Sequence, residues 1–303
     1  TQIDRLPKFS TFAALVLTIL SMGVLIYFIH HVSMMIQAPH VIDSVFKDLV
    51  AKIDVFFPQD SGDNHKSKAE QDFPDGSMEI LSDCSDYIQA IDGEGLLRIA
   101  TEKDVVIKCY RRPGDFVMNR ESLAAISKEV DLKTQRKIGR KFYFGILRTG
   151  TQDPEYAISQ LVEIAVRALS PGINDPFTAM GCLDRLGAAL IRIAGRKLPQ
   201  RRKYDKSGNL RVIINRPTFD GICDSAFGQI RNYGKENPVV MITMLEVIYQ
   251  IGDELKYPEQ KNAILRHAKL ISETGKNFGN ESDKRDLAEQ FEKTRKILQP
   301  VED

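Results

Sequence analysis

No charge of one sign dominates this chain: 42 Lys+Arg are nearly cancelled by 41 Asp+Glu over 303 residues. A global basic field for nucleic acid is thereby excluded, although local charge asymmetry is not. Cysteine is scarce and scattered: Cys84, Cys109, Cys182 and Cys223 form no CxxC and no Cys/His ligand spacing. They read as buried or free thiols, which suits a reducing compartment. HExxH, GxSxG, the Walker A loop and GxGxxG are all missing, and no histidine stands beside paired carboxylates. With five histidines, three of them following one apolar run, general acid–base chemistry has few candidates. No catalytic residue, metal ligand or cofactor is expected, and the chain is not expected to be an enzyme.

What is present, first of all, is that apolar run. From Phe9 to Ile42 there is no Asp, Glu, Lys or Arg, and the 21 residues Phe9–Ile29 are strongly apolar. At about 1.5 Å per residue they span roughly 30 Å, the thickness of a bilayer's hydrocarbon core. A buried core helix is rarely apolar on every face over this length. A secretory signal has a shorter run followed by a small-residue cleavage site. Residues 1–33 are therefore predicted to hold a transmembrane helix, with Tyr27, His30 and His31 at the interface. His30, His31, Met34 and Met35 are soft donors, but no carboxylate or cysteine completes a metal set, so solvated interfacial side chains are the simpler reading. Arg5 and Lys8 precede the run and the first cation after it is Lys47, which alone would leave the N-terminal flank in the cytoplasm. Because the sequence opens on Thr1 and not Met, an upstream part is expected.

Beyond the span, Val41, Ile42, Val45, Phe46, Leu49, Val50 and Ile53 recur at helical spacing after Pro39. They predict an amphipathic connecting helix over 34–57, to lie on the membrane or against a partner. Residues 58–77 are polar with little to bury, a flexible linker or surface loop. A β-rich part is expected over 78–149, with strands at 87–91 and 104–111 and a short helix near Leu96–Ala100. Further short strands are expected at Phe116–Met118 and Leu123–Ile126, after a turn at RPGD. The stretch GDFVMNRESL (114–123) resembles the turn of biotinyl/lipoyl barrel-sandwich domains, G-D-x-V-x-x-G-x-x-L. Arg120 replaces the second glycine and no acceptor lysine is in place. The resemblance implies a barrel shape without swinging-arm chemistry, the alternative being a generic β-turn.

Over 150–303 the pattern is mainly helical, with a short hairpin turning at Ser207-Gly208-Asn209. Helix starts carry proline at Asp153-Pro154, Asp175-Pro176, Asn237-Pro238 and Tyr257-Pro258, the first three behind an N-capping Asp or Asn. The stripes Leu183, Leu186, Leu190, Ile193 and Val240, Met244, Val247, Ile251, Leu255 predict core or interface faces. The class expected is α+β: an N-terminal transmembrane helix, a small β-rich segment, barrel-like if the turn resemblance extends to shape, and a mainly helical C-terminal domain.

Five runs follow in order along the chain: FIHH (28–31), YIQAIDGEGL (87–96), RPGDFV (112–117), RTGTQDP (148–154) and ALSPGINDPFTA (168–179). Together they resemble an uncharacterised bacterial family of predicted membrane proteins carrying domain of unknown function 2254. The resemblance implies an integral protein of the bacterial inner membrane with additional upstream spans, this one being the last of several. It also implies a cytoplasmic C-terminal domain, against the local reading from Arg5 and Lys8 and in keeping with the unpaired cysteines. It brings no activity with it.

Two clusters stand out as candidate sites. In ALSPGINDPFTA, Gly172 is expected to take the left-handed conformation that ends one helix, while Asp175 and Pro176 start the next. Such a helix junction explains those residues structurally. A functional reading sets Ser170, Asn174 and Thr178 around a helix start as a phosphate or headgroup cradle, although Asp175 already fills that place. The second cluster is basic: Arg192, Arg196, Lys197, Arg201, Arg202, Lys203 and Lys206 lie within fifteen residues, opposed only by Asp205. It reads as a solvated face near a helix C-terminus, or as an anion- or lipid-binding face worth on the order of 1 kcal/mol per cation against anionic lipid. Only Tyr204 interleaves an aromatic, so nucleic acid is not expected. Glu70, Asp72, Asp75, Glu79, Asp83, Asp86, Asp92 and Glu94 form an acidic counterpart, with pairing between subunits as one expectation.

The functional expectation is a homo-oligomeric channel or transporter whose soluble domain assembles or gates it. A membrane-tethered scaffold or sensor is the alternative. The expected partners are the lipid bilayer, a second copy of the chain and anionic lipid.

Overall fold

The computed structural model describes residues 8–35, 38–57, 73, 78–196, 198 and 200–299. By contact density the chain forms two units, Thr1–Ser44 and Val45–Asp303. In the first, helix α1 (Lys8–Met35) carries the apolar run. Phe9–Ile29 is long and apolar enough to cross a membrane, and none of it is buried by the protein. Large side chains such as Phe12, Leu17, Ile19, Leu20 and Val24 are exposed on every face, an arrangement that water disfavours and lipid does not. The linker expected over 58–77 lies outside the described residues except for Phe73, as does Arg5.

Helix α2 (Ala38–Phe56) begins in the first unit and ends in the second. In the second unit Leu49 and Ile53 of the expected stripe are fully buried, as is Phe57 just beyond it, while Val45, Phe46 and Val50 are half-buried. On the same helix Phe46 lies under the guanidinium of Arg185, 5.1 Å from its ring centre.

Among the described residues eight strands form two sheets. The first has five strands in the order β1 (Met78–Leu81), β5 (Ser122–Ile126), β3 (Ile107–Cys109), β8 (Leu210–Ile213) and β7 (Arg202–Tyr204). The second sets β4 (Phe116–Val117) and β6 (Phe142–Gly145) on either side of β2 (Asp86–Ile91). Two helices close this core, α3 (Gly93–Glu102), capped by Asp92, and α4 (Leu132–Gly139), capped by Asp131. Ile88, Leu96, Ile107, Leu123, Ile126 and Val212 meet at its centre.

The barrel shape is corrected: the described strands make two separate sheets and no closed barrel. Only the turn is shared. Gly114 has φ +95°, and Arg120, in the second glycine's place, also takes the left-handed conformation with φ +68°. That conformation costs a non-glycine residue roughly 1–2 kcal/mol. The Arg120 N–H donates to the Ser82 carbonyl at 2.8 Å, which holds it there.

Six helices follow: α5 (Glu155–Ala168), α6 (Pro176–Ala194), α7 (Phe219–Gly234), α8 (Pro238–Glu254), α9 (Pro258–Gly275) and α10 (Glu281–Leu298). Both predicted apolar stripes are buried. Asp175 and Asn237 cap α6 and α8, each with proline at the first turn. At α5 the expectation shifts by one residue: Pro154 occupies the cap position, and the Asp153 carboxylate accepts from the Glu155 N–H at 3.0 Å. Gly187 lets α6 approach α8, since a Cβ there would stand 2.5 Å from Val247 Cγ1.

One buried base sits in this bundle. His267 on α9 is 1% exposed, with its ring centre 5.6 Å from that of Phe227 and its Nε2 3.3 Å from Asp224 Oδ1 on α7. Burial, helped by the neighbouring Arg266 charge, pushes its pKa from 6.5 down to about 4. Between those values the unfolded chain binds a proton that the native state refuses. Stability present above pH 6.5 is therefore lost as pH falls toward 4, by on the order of 3 kcal/mol. Urea unfolding at pH 7, 5.5 and 4.5 should show this decline, and His267→Gln should flatten it. An equally steep decline in the variant would assign the acid limb elsewhere.

Candidate functional site

In space the basic stretch divides into separate groups. Arg192 and Arg196, at the end of α6, both turn to Asp54 on α2. Arg192 makes a two-pronged pair at 3.0 and 2.8 Å. Arg196 is 6% exposed and also donates to the Phe57 carbonyl at 2.7 Å, at the end of α2, and at 3.3 Å to the Ile53 carbonyl, which also accepts from the Phe57 N–H. The hydrogen bonds from Arg192 and Arg196 hold the Asp54 carboxyl below its ordinary range. These two arginines fasten α2 to the bundle. Lys197 lies outside the described residues.

Lys203 points to Glu94, 2.5 Å away. The basic and acidic stretches thus meet here within one chain, where pairing between subunits was expected. Asp205, the acid inside the basic stretch, accepts from the Ser207 and Asn209 N–H groups and from Arg211, and its carboxyl is held near 2. It closes the hairpin turn, in which Gly208 has φ +80°.

Arg201 and Arg202 end in a different place. With Lys108, Tyr110, Ile213 and Asn215 they line a groove of about 340 Å³ over β3, β8 and β7. Arg202 pairs with Ile213 across the sheet, and Ile213 pairs with Lys108, so the three side chains share one face. Arg201 donates to the Asn215 side chain at 3.2 Å, and Asn215 donates to the Tyr110 carbonyl at 3.1 Å. The Lys108 ammonium lies 5.6 Å and 5.8 Å from the ring centres of Phe73 and Tyr110. No carboxylate is among the described residues that line the groove. Cys109 forms part of its floor, and burial pushes that thiol up to about 12. Lys108 escaped the sequence reading. Its one signal is alternation, since it falls between the buried Ile107 and Cys109 and must face outward.

At the helix junction the left-handed residue is Asn174, φ +49°, and Gly172 has no positive φ. The reason is the hydrogen-bond pattern: the Asn174 N–H returns to the Ser170 carbonyl and the Asp175 N–H to Ala168, so the reversal falls between residues 173 and 175. Ser170 donates to the Arg167 carbonyl, while Asp175 accepts from both the N–H and the hydroxyl of Thr178. Those Thr178 bonds hold the Asp175 carboxyl low, keeping a negative charge at the start of α6. The polar groups of the expected cradle thus serve the turn itself.

A buried polar junction went unread. Arg112, from the RPGD turn, makes a two-pronged pair with Glu155 at 3.1 and 2.8 Å, and Arg148 donates to Asp153 at 2.7 Å. Asp153 and Glu155 are 3% and 5% exposed. Gly114 is required here, because a Cβ would stand 2.2 Å from Asp153 Oδ2. Gln152 accepts from the Ile91 N–H, and Gln89 donates to the Leu147 carbonyl. Three of the runs that carried the family resemblance therefore converge on one joint between the sheets and α5. Burial raises the Glu155 carboxyl even though Arg112 pulls the other way. Among the described residues no group of three His, Cys, Asp or Glu is placed to hold a metal ion.

The division of labour within the basic stretch is testable. Arg196→Met removes the buried donor to the Phe57 carbonyl and should cost about 2 kcal/mol, whereas Arg192→Met, at a half-exposed pair, should cost less than about 1 kcal/mol. Chemical denaturation of the two variants measures this, and equal losses would contradict the assignment.

Comparison with known sequences places these features in context. An uncharacterized protein of Mycobacterium bovis is 27% identical over 288 residues, and an uncharacterized protein of Mycobacterium tuberculosis matches equally. The match covers 92% of this chain but 55% of each relative, so the chain spans about half their length. No solved structure matches significantly. The sequence model of a family described as predicted membrane protein (DUF2254) matches residues 1–250, and the chain belongs to that family.

Proposed function

We propose that the chain is a membrane-tethered sensor or scaffold, in which α1 is the anchor and the unit from Val45 onward binds a ligand or partner. One contrast supports this reading. The 21-residue span offers no charged side chain on any face, so a single helix has little with which to replace an ion's hydration shell. The concavity lined by cations lies in the other unit. Enzymatic chemistry is not proposed: burial raises all four thiols, which leaves them protonated at neutral pH. Free cysteines also favour a reducing side of the membrane, in keeping with a bacterial inner-membrane protein whose C-terminal domain is cytoplasmic.

A homo-oligomeric channel or transporter is the second reading. Ala13, Ala14, Ser21 and Gly23 allow close helix packing, and a Cβ at Gly23 would meet nothing within 4 Å. The two readings part in one experiment. The chain in detergent is sized by mass, then reconstituted in a planar bilayer. The tether reading expects electrical silence; a defined oligomer with steady unitary currents would replace it with the channel.

A further inference from the structure

We infer that the groove between β1, β6 and α4 binds a short extended peptide segment bearing both a basic and an acidic residue, seated as an added strand along β1. This deepens the tethered-scaffold reading and rests on it for its biological sense, though not for its chemistry. The groove has a volume of about 650 Å³, within the range of ligand sites, and is separate from the one over β3, β8 and β7. Backbone edges are the first argument. β1 is the outermost strand of one sheet and β6 of the other, so each leaves one row of backbone N–H and C=O groups without a partner strand among the described residues. Glu79, Ile80 and Leu81 all line the groove. Alternate side chains of a strand point to opposite faces, so three in succession place the groove along the edge of β1.

The interior of the groove fits such a segment. Ile80, Leu123 and Phe142 are buried and Phe144 packs against the same core, which makes an apolar floor. Gln135, Arg136, Gly139 and Arg140 form the α4 wall, spaced as one face of the helix. Gly139 leaves that wall open, because a Cβ there meets only Ile80 Cγ2, at 4.0 Å. The four residues of β1 give an edge of about 13 Å, which an extended segment of about the same length covers.

Charge selects the segment. Glu79 and Asp83 stand on the β1 side of the groove and Arg136 and Arg140 on the α4 side, and among the described residues no ion pair joins the two sides. Exposed charges without partners are ordinary; opposite signs facing each other across one apolar floor make a pattern that a ligand can complement. An extended segment on β1 turns its side chains alternately to the two faces of the sheet. On the face of Ile80, against which Gly139 of α4 lies, they meet Phe142, Phe144 and the two guanidiniums. On the face of Glu79 and Leu81 they meet a carboxylate beside an apolar neighbour. The complementary segment therefore alternates basic residues with apolar and acidic ones, the acidic carboxylate accepting from Arg136 or Arg140.

The full chain in a neutral detergent is titrated by fluorescence anisotropy with a labelled hexapeptide, Lys-Val-Lys-Glu-Lys-Val, its termini blocked. Saturable binding below about 1 mM is expected, weakened at least tenfold when Gln replaces every charged residue of the peptide. N-methylating one of its two alternate sets of amides should weaken binding by a similar factor, since only one set faces the strand edge. Arg136→Gln/Arg140→Gln should do the same. If that variant does not fold, Gly139→Leu, which fills the groove where a side chain has room, should abolish binding with the urea midpoint unchanged. No saturation up to about 1 mM, binding unchanged in the variants, or equal affinity for both N-methylated peptides overturns strand addition. So does a Lys-Glu dipeptide that binds as tightly as the hexapeptide, which assigns a small zwitterion instead. Steady currents from a chain that still binds the peptide would overturn the tether and leave the groove standing.

Discussion

The parallel pairing of β8 with β3 is the contact on which the sheets of the unit from Val45 onward depend. Ile107 lies beside Val212 and Lys108 beside Ile213, although about a hundred residues separate them in sequence. A two-stranded hairpin alone is marginal in water. By joining the sheet, β7 and β8 bury Val212 and Ile214 in a core shared with Ile88, Leu96 and Ile107. The same pairing carries Arg201 and Arg202 to Lys108, so core packing and the charge pattern of the groove have one cause.

Around that pairing, charge is used chiefly to fasten elements together. Two arginines hold the end of α2 to α6 through Asp54. Arg112 and Arg148 hold the sheets to α5 through Glu155 and Asp153. Exchanging buried pairs like the latter for apolar groups need not weaken a fold, but removing one partner leaves an isolated charge at large cost. They therefore act as registration marks, which accounts for three of the characteristic sequence runs meeting at one joint.

The membrane helix answers to a different solvent. Its side chains are apolar on every face and exposed, while the unit from Val45 onward buries its apolar stripes and leaves its charges to water or to one another. Hydrophobic burial drives the second; only lipid satisfies the first.

Much of the local structure was legible in the residues themselves. The uncharged run announced α1, proline behind Asp or Asn announced α6 and α8, and the leucine stripe of α6 announced its buried face. Such features depend on neighbours three or four residues away, which sequence displays directly. The strands β1 and β6 and the helix α4 were not read, being short elements whose apolar positions make no sustained period. The groove was half legible: Arg201 and Arg202 stood out as a cluster, but their linear neighbours Arg192, Arg196 and Lys203 turned to other partners. The sequence by itself determined the membrane helix, the helix starts and the family. The tertiary structure decided which cations are matched, because a charge is neutralised by whatever stands within a few ångströms in space, and strand pairing sets that neighbour far along the chain.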